Sequence, residues 1–456
     1  MNNEKTKTMK LYYYIIGMLM ILFTACQKED SGSPLPPDGG QNINDVLTVN
    51  STTGEVAYLL REKSAWTAVV ESGEWLKLAK TEGSENETVQ LVYEPTTAAY
   101  PEAKVVITHK TGTIVNLTVK YAYIPYSLDN KLKVMQMDLW DGGANVNDSY
   151  NVLVAEILEQ DADIVTLSDI GTADFSGLTA KLAEAGKTYY SSMESSTPEK
   201  PTSMILSKYE VVETENSAYY SKISVAVDGV PVSIYSVNMP DEKFAWHLPR
   251  GYNGGYGASG KEWAKAANGP VTDFFEIYEK NNQSERIEVA ANIAAAISDD
   301  EGFVIVSGNF NEPSYLDWTA ETKDMYDHHG LVYDWDVSVK MQQAGMIDTY
   351  RTLYPSAVTH PGFTYPADNK MLVEGKSLSI ATEADERERL DFIYFREYRD
   401  GERNIRPESM SIIGSNMCIV KNAPKQEESK DTFVSPKQNI PGNHKGVVAT
   451  FLIPKE

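Results

Sequence analysis

The chain holds only two cysteines in 456 residues, Cys26 and Cys418, too few for a disulfide framework or a Cys-rich metal centre. Histidine is equally sparse. Its six copies, His109, His247, His328, His329, His360 and His444, form no His-Glu-x-x-His pattern, so nothing supports a zinc hydrolase. Base is scarce relative to acid, with 41 Lys+Arg against 65 Asp+Glu and a net charge of −24. Proteins that grip nucleic acid avidly by neutralising phosphates present the opposite excess, so no such partner is expected. No internal repeat and no collagen-like or coiled-coil composition occurs. What remains is 42% hydrophobic and 10% aromatic residues, enough for two or three folded domains.

The one long apolar run, Leu11 to Phe23, follows Lys5, Lys7 and Lys10 and ends in Thr24-Ala25-Cys26. It is too short to span a bilayer comfortably and carries the basic flank and small residues of a secretory signal. Cys26 after small residues resembles a bacterial lipobox, which implies a signal peptide over 1–25, lipidation of Cys26, and membrane attachment by the lipid alone. Gln27-Lys28-Glu29-Asp30 resembles a surface-export signal, so the expected location is the outer membrane or cell surface. Residues 1–25 carry three Lys and one Glu, so their removal takes the charge from −24 to −26. With Cys26 lipidated, Cys418 has no partner for an intrachain disulfide. Residues 26–45 are rich in Ser, Gly and Pro and read as a tether.

From 46 to 126 short β-type runs alternate with turn residues, among them Trp66–Val70, Val89–Tyr93, Lys104–Thr108 and Ile114–Val119. This predicts a small all-β sandwich. Trp66, Trp75-Leu76 and the strand at Lys104–Ile107 resemble the BACON-type immunoglobulin-like domain, which implies an accessory module or a contact to glycan or glycoprotein. Trp66 and Trp75 read as core.

From Lys131 strands alternate with helices. Lys133–Met137, Ile164–Leu167, Val232–Val237, Phe303–Ser307, Leu390–Phe395 and Val447–Leu452 read as strands; Ser149–Gln160 and Ile287–Ile297 read as helices. The texture predicts an α/β domain over 131–456. The Gly251–Gly260 stretch with Lys261 nearly spells a phosphate-binding loop, but Glu262 replaces the Ser/Thr that would hold magnesium and no buried strand leads in, so it reads as a surface loop. Trp140, Trp318 and Tyr365 read as core or rim packing, and His328, His329 and His360 as loop residues.

Polar groups cluster where strands end: Gly308 to Ser314 followed by Asp317-Trp318, Gly345 to Arg351, Pro361-Gly362-Phe363-Thr364-Tyr365, Arg389-Leu390-Asp391-Phe392-Ile393, and Asn443-His444. In order and spacing these resemble the endonuclease/exonuclease/phosphatase superfamily of metal-dependent phosphoesterases. The resemblance implies a four-layer α-β-β-α sandwich, a bound Mg²⁺ or Mn²⁺, and a phosphoester substrate or ligand. It implies roles by position. The first strand should end in an Asn ligand, where Asp138 stands; the second in a Glu ligand, where Asp169 stands. A water-orienting Asp is expected where Asn309 stands, with Asn311 as a phosphate or metal contact. A metal-ligand Asp is expected where Asn443 stands, followed by a phosphate-binding His, kept as His444 and oriented by Asp391. The expected mid-chain His is replaced within Asn238-Met239-Pro240-Asp241, and Arg250 matches a position that would touch substrate phosphate.

These departures bear on chemistry. An amide at 309 takes no proton from water near neutral pH, Asn443 offers a neutral oxygen where a hard cation favours charge, and Asp169 is a methylene shorter than Glu. The expectation is therefore weak or altered hydrolysis of a phosphoester, with a non-catalytic protein holding a glycan, glycoprotein or phosphorylated ligand as the alternative. For Asp391 the plainer reading is a buried acid paired with Arg389 or a backbone amide, and for His444 a satisfied turn residue.

Overall fold

The computed structural model describes residues 42–49, 54–60, 62–85, 87–94, 102–121, 130–194, 201–256, 263–397 and 405–453. Cys26, the signal segment and Gly260-Lys261-Glu262 lie outside them. No helix among the described residues is long and apolar enough to cross a membrane.

The N-terminal unit has two sheets over one core. One orders β1 (Asn42–Val49), β8 (Ile114–Tyr121), β7 (Glu102–His109), β3 (Trp66–Ser72) and β5 (Glu82–Gly83); the other orders β2 (Gly54–Tyr58), β6 (Val89–Tyr93) and β4 (Leu76–Leu78). Alternation sets the inward face: Ala103, Val105 and Ile107 of β7 are buried with Leu117 and Val119 of β8. Trp66 joins that core, its indole donating to the Glu87 carbonyl at 3.0 Å, and Trp75 packs against it. β1 starts at Asn42 and pairs with β8 in parallel, so the last residues of the segment read as tether are strand.

The larger unit is mixed α/β and rich in sheet. A seven-stranded sheet orders β11 (Tyr190–Ser191), β12 (Ser203–Ser207), β10 (Ile164–Ser168), β9 (Asn130–Asp138), β23 (Gly446–Ile453), β19 (Arg406–Ile413) and β22 (Phe433–Val434). A six-stranded sheet orders β13 (Val211–Asn216), β14 (Tyr220–Val227), β15 (Val230–Asn238), β16 (Phe303–Asn309), β18 (Asp391–Arg396) and β17 (Ile347–Asp348). Their facing sides share one apolar core that includes Leu132, Val134, Ile234, Ile305, Ile393 and Phe451. The outer face of the first sheet packs on the helices Ser149–Gln160 and Leu178–Glu184 through Met135, Val165, Leu153 and Leu182. The outer face of the second packs on Arg286–Ser298 and Asp336–Gln343 through Val304, Val306, Ile293 and Met341. The strands and helices expected here form within a few residues of their predicted bounds.

Between the sheets, the series of every second residue changes character along each strand. β9 runs Leu132, Val134, Gln136, Asp138; β10 runs Ile164, Thr166, Ser168; β15 runs Val232, Ile234, Ser236, Asn238; β16 runs Phe303, Ile305, Ser307, Asn309; and β18, read backwards, runs Phe395, Ile393, Asp391. Apolar side chains fill one end of the seam and hydrogen-bonding groups the other. At the polar end Thr166 Oγ1 and Ser307 Oγ stand 2.8 Å apart across the two sheets, and Ser236 Oγ donates to the Leu167 carbonyl at 3.3 Å. The candidate site residues Asp138, Asn309 and Asp391 sit on the polar end.

Candidate functional site

Backbone geometry brings the strand ends together. β9 and β10 run parallel with Asp138 opposite Ser168, β15 and β16 run parallel with Asn238 opposite Asn309, and antiparallel β18 sets Asp391 opposite Asn309. Two glycines permit the approach. A Cβ on Gly308, at φ +153°, would lie 2.0 Å from the Val237 carbonyl oxygen, and one on Gly442 would lie 2.5 Å from that of Asp138. The second contact lets the turn before β23 carry Asn443 and His444 against the end of β9.

Asp138 is buried and accepts three hydrogen bonds: from Asn309 Nδ2 at 2.9 Å, Ser168 Oγ at 3.2 Å and the Trp140 N–H at 3.0 Å. Asn309 is committed at both ends of its amide, since its Oδ1 accepts from the Asn311 N–H at 2.9 Å. Asn311 in turn donates from Nδ2 to the Met239 carbonyl at 2.8 Å, and the Trp246 indole donates to its carbonyl at 3.4 Å. Asn311 and Asp169 both stand in the left-handed region, at φ 50° and 49°. Small amide and acid side chains tolerate it better than most.

His444 Nδ1 lies 2.7 Å from Asp391 Oδ2, with both groups buried. This settles the pairing of Asp391: Arg389 faces Asp317 and Asp348 instead. The Tyr365 ring packs against His444 at 5.0 Å between centroids. Asp138, Asp391 and His444 offer ligand atoms all within 4.8 Å of one another. Of the expected metal set, Asp169 stands outside this trio, its Oδ2 accepting from the Asp141 N–H at 2.7 Å.

Charge is unbalanced here. Burial, reinforced by the Asp138 carboxylate, pushes Asp169 up to about 7, and burial also raises Asp138. Burial alone would lower His444, but the Asp391 and Asp138 carboxylates and the Asp391 hydrogen bond hold it up at about 9. Each raised group binds its proton more tightly folded than unfolded, so its stabilisation is present at low pH and fades on the way up. The window runs from about pH 4 to 7 for Asp169 and from about 6.5 to 9 for His444. Lowered histidines, His247, His328 and His360, act in the opposite sense below about pH 6.5, so the clean window is the upper one: the midpoint of urea unfolding should fall from pH 7 to pH 9, and His444→Gln should flatten that fall. A midpoint that rises over this range would contradict the assignment.

The fit of a divalent cation rests on orphaned oxygens. Asp391 Oδ1 and Asn443 Oδ1 are buried with no hydrogen-bond partner. These unmatched hard oxygens beside the Asp138 and Asp169 carboxylates form a donor set suited to Mg²⁺ or Mn²⁺, whose charge would favour the ionised carboxylates.

Arg250 is a correction. Its side chain is fully buried, ion-paired to Glu388 at 2.6 Å and donating to the carbonyls of Asp385 and Trp246, so no face is left for a substrate phosphate. His328, read as a loop residue, does lie outside helix and strand, buried and stacked on Trp318 at 3.6 Å between centroids. Sequence reasoning missed Ser168, Thr364 and Trp246, which support the site. Ser168 was visible in principle as the polar end of the Ile164-Thr166-Ser168 series.

No family model matches the chain. An uncharacterised protein of Caenorhabditis elegans is 24% identical over 296 residues, spanning 62% of this chain and 84% of that protein. Among solved structures, an endonuclease/exonuclease/phosphatase family protein from Leptotrichia buccalis is 13% identical, covering 70% of this chain and 98% of its own, with a TM-score of 0.38. An AP endonuclease from Archaeoglobus fulgidus is 14% identical over 70% of this chain and 98% of its own, with a TM-score of 0.37.

Proposed function

We propose that this chain is a surface lipoprotein, anchored through Cys26 at the outer membrane or cell surface, whose α/β domain is an altered metal-dependent phosphoesterase of the endonuclease/exonuclease/phosphatase type. It hydrolyses a phosphoester weakly or in altered form. One observation carries the phosphoesterase part of this reading: Asn309 Nδ2 donates to Asp138 Oδ2 at 2.9 Å, beside the Asp391–His444 pair. The resemblance implies an amide at 138 and an acid at 309. Here the two have exchanged places across the site, so a carboxylate is kept.

Each residue then has a task. Asp391 fixes the His444 ring through Nδ1 and supports its positive charge, which suits it to bind phosphate oxygens. Asp138, raised by burial, is the group able to orient a water and take its proton, since the amide of Asn309 takes none. Asn309 holds Asp138 in place. A Mg²⁺ or Mn²⁺ ion would be held by Asp138 and Asp169 with the oxygen of Asn443, and when bound supplies charge neutralisation on the phosphate. The N-terminal sandwich, BACON-like by sequence, serves as an accessory module toward glycan or glycoprotein. The commitment of Asn309 to Asp138 also favours a second reading, a non-catalytic protein that holds a phosphorylated or glycan ligand.

The test is the purified protein with phosphodiester and phosphomonoester reporters in Mg²⁺, Mn²⁺ or Ca²⁺. Turnover above the metal-free control, falling about 100-fold in His444→Ala, is expected. Turnover indifferent to His444 would overturn the assignment of roles, and silence with every metal would leave the binding reading.

A further inference from the structure

The turn that delivers Asn443 and His444 is held from one direction by the segment 361–369. Thr364 Oγ1 accepts from the N–H groups of Leu390 and Asp391 at 3.1 and 3.2 Å, while its carbonyl accepts from Lys445 at 2.7 Å. The Ala367 N–H donates to the Asn443 carbonyl at 2.9 Å. Asn369 finishes the clamp. Its Nδ2 donates to the carbonyls of Ile440 at 3.0 Å and Gly442 at 2.6 Å, and its Oδ1 accepts from Asn439 Nδ2 and the Met371 N–H, each at 2.8 Å. The side chain is 3% exposed, and two donors and two accepted bonds complete its amide.

We propose that Asn369 is a positioning residue for the site, setting where Asn443 and His444 stand relative to Asp138 and Asp391. The register matters because Gly442 already lies against the Asp138 carbonyl, with no room for a Cβ. Any slip of the 439–442 bend moves His444 along the face of Asp391. An amide is the group that fits, since it donates twice on one side and accepts on the other. An aspartate of the same shape would turn a carboxylate toward two carbonyls, repelling the bend it now holds. Nothing in the sequence marks this role, because the Asn lies far along the chain from the residues it places.

The turnover part of the test rests on the phosphoesterase reading; the spectroscopic part does not. In proton NMR of the full chain, the hydrogen-bonded Nδ1 proton of His444, assigned by its loss in His444→Gln, reports the distance to Asp391. Asn369→Asp should shift or broaden that signal and lower kcat about ten-fold with KM changed less than about two-fold. Asn281→Ala is the structural control, because buried Asn281 donates to Asp336 at 2.9 Å away from the site. It should lower the unfolding midpoint while leaving signal and kcat alone. A wild-type signal and wild-type kcat in Asn369→Asp would overturn the proposal. If the wild-type protein shows no turnover, the signal alone decides, and that silence counts against the phosphoesterase reading only. Should Asn369→Asp not fold, Asn369→Ser, which keeps one donor, is held to the same readout.

Discussion

Asn309→Asp alone should cost about 3 kcal/mol of stability and raise no activity, because it sets a second buried carboxylate against Asp138 where an amide now donates at 2.9 Å. Asp138→Asn alone should remove turnover by about 100-fold, taking away the carboxylate next to His444. The pair Asp138→Asn with Asn309→Asp should recover most of both losses. The reversed pair keeps one acid and one amide facing each other, and the carboxylate at 309 still accepts from the Asn311 N–H. The new amide oxygen at 138 still accepts from the Trp140 N–H. A coupling of about 1–3 kcal/mol in urea unfolding is expected, as for buried hydrogen-bonded neighbours. Strictly additive single losses would show that the two side chains do not act as a unit.

Arg389→Leu should be the most destabilising single change in the α/β unit, by about 3–5 kcal/mol. The guanidinium is buried and holds two carboxylates, Asp317 at 2.9 Å and Asp348 at 2.8 Å, while Arg351 also reaches Asp317 at 2.7 Å. Removing the central cation takes away the Asp348 ion pair and leaves Asp317 with Arg351. Asp348 is also the N-cap of the helix Thr349–Leu353, its side chain accepting from the Arg351 N–H, so the loss propagates to that helix. Chemical denaturation measures it, and a loss below about 1 kcal/mol would mean the network relaxes or floods.

Strands such as Phe303–Asn309 were legible because an uninterrupted apolar run bounded by Gly and Asn has few other uses in an α/β chain. The Ser149–Gln160 helix was legible from its period alone. The Asp391–His444 pair was expected from the resemblance alone; the residues by themselves left Asp391 to Arg389 or a backbone amide and His444 to a turn. What could not be read is lateral. Nothing in sequence sets Asn309 against Asp138, 171 positions away, so two departures that look like separate losses form one hydrogen bond. Arg250 misled for a different reason: the resemblance sets it toward substrate phosphate, yet Glu388 and two carbonyls draw the side chain inward. His328 is in a loop as read, but a pair of histidines between Asp and Gly gives no hint of the Trp318 face that covers one of them.

The most direct measurement is anomalous diffraction from crystals of the protein soaked in Mn²⁺, with His444→Ala soaked in parallel. The phosphoesterase reading predicts one strong anomalous peak in contact with the carboxylates of Asp138 and Asp169, retained in the variant because His444 is assigned to phosphate rather than metal. Absence of a peak at those carboxylates, or its appearance only elsewhere on the acidic surface, would contradict it.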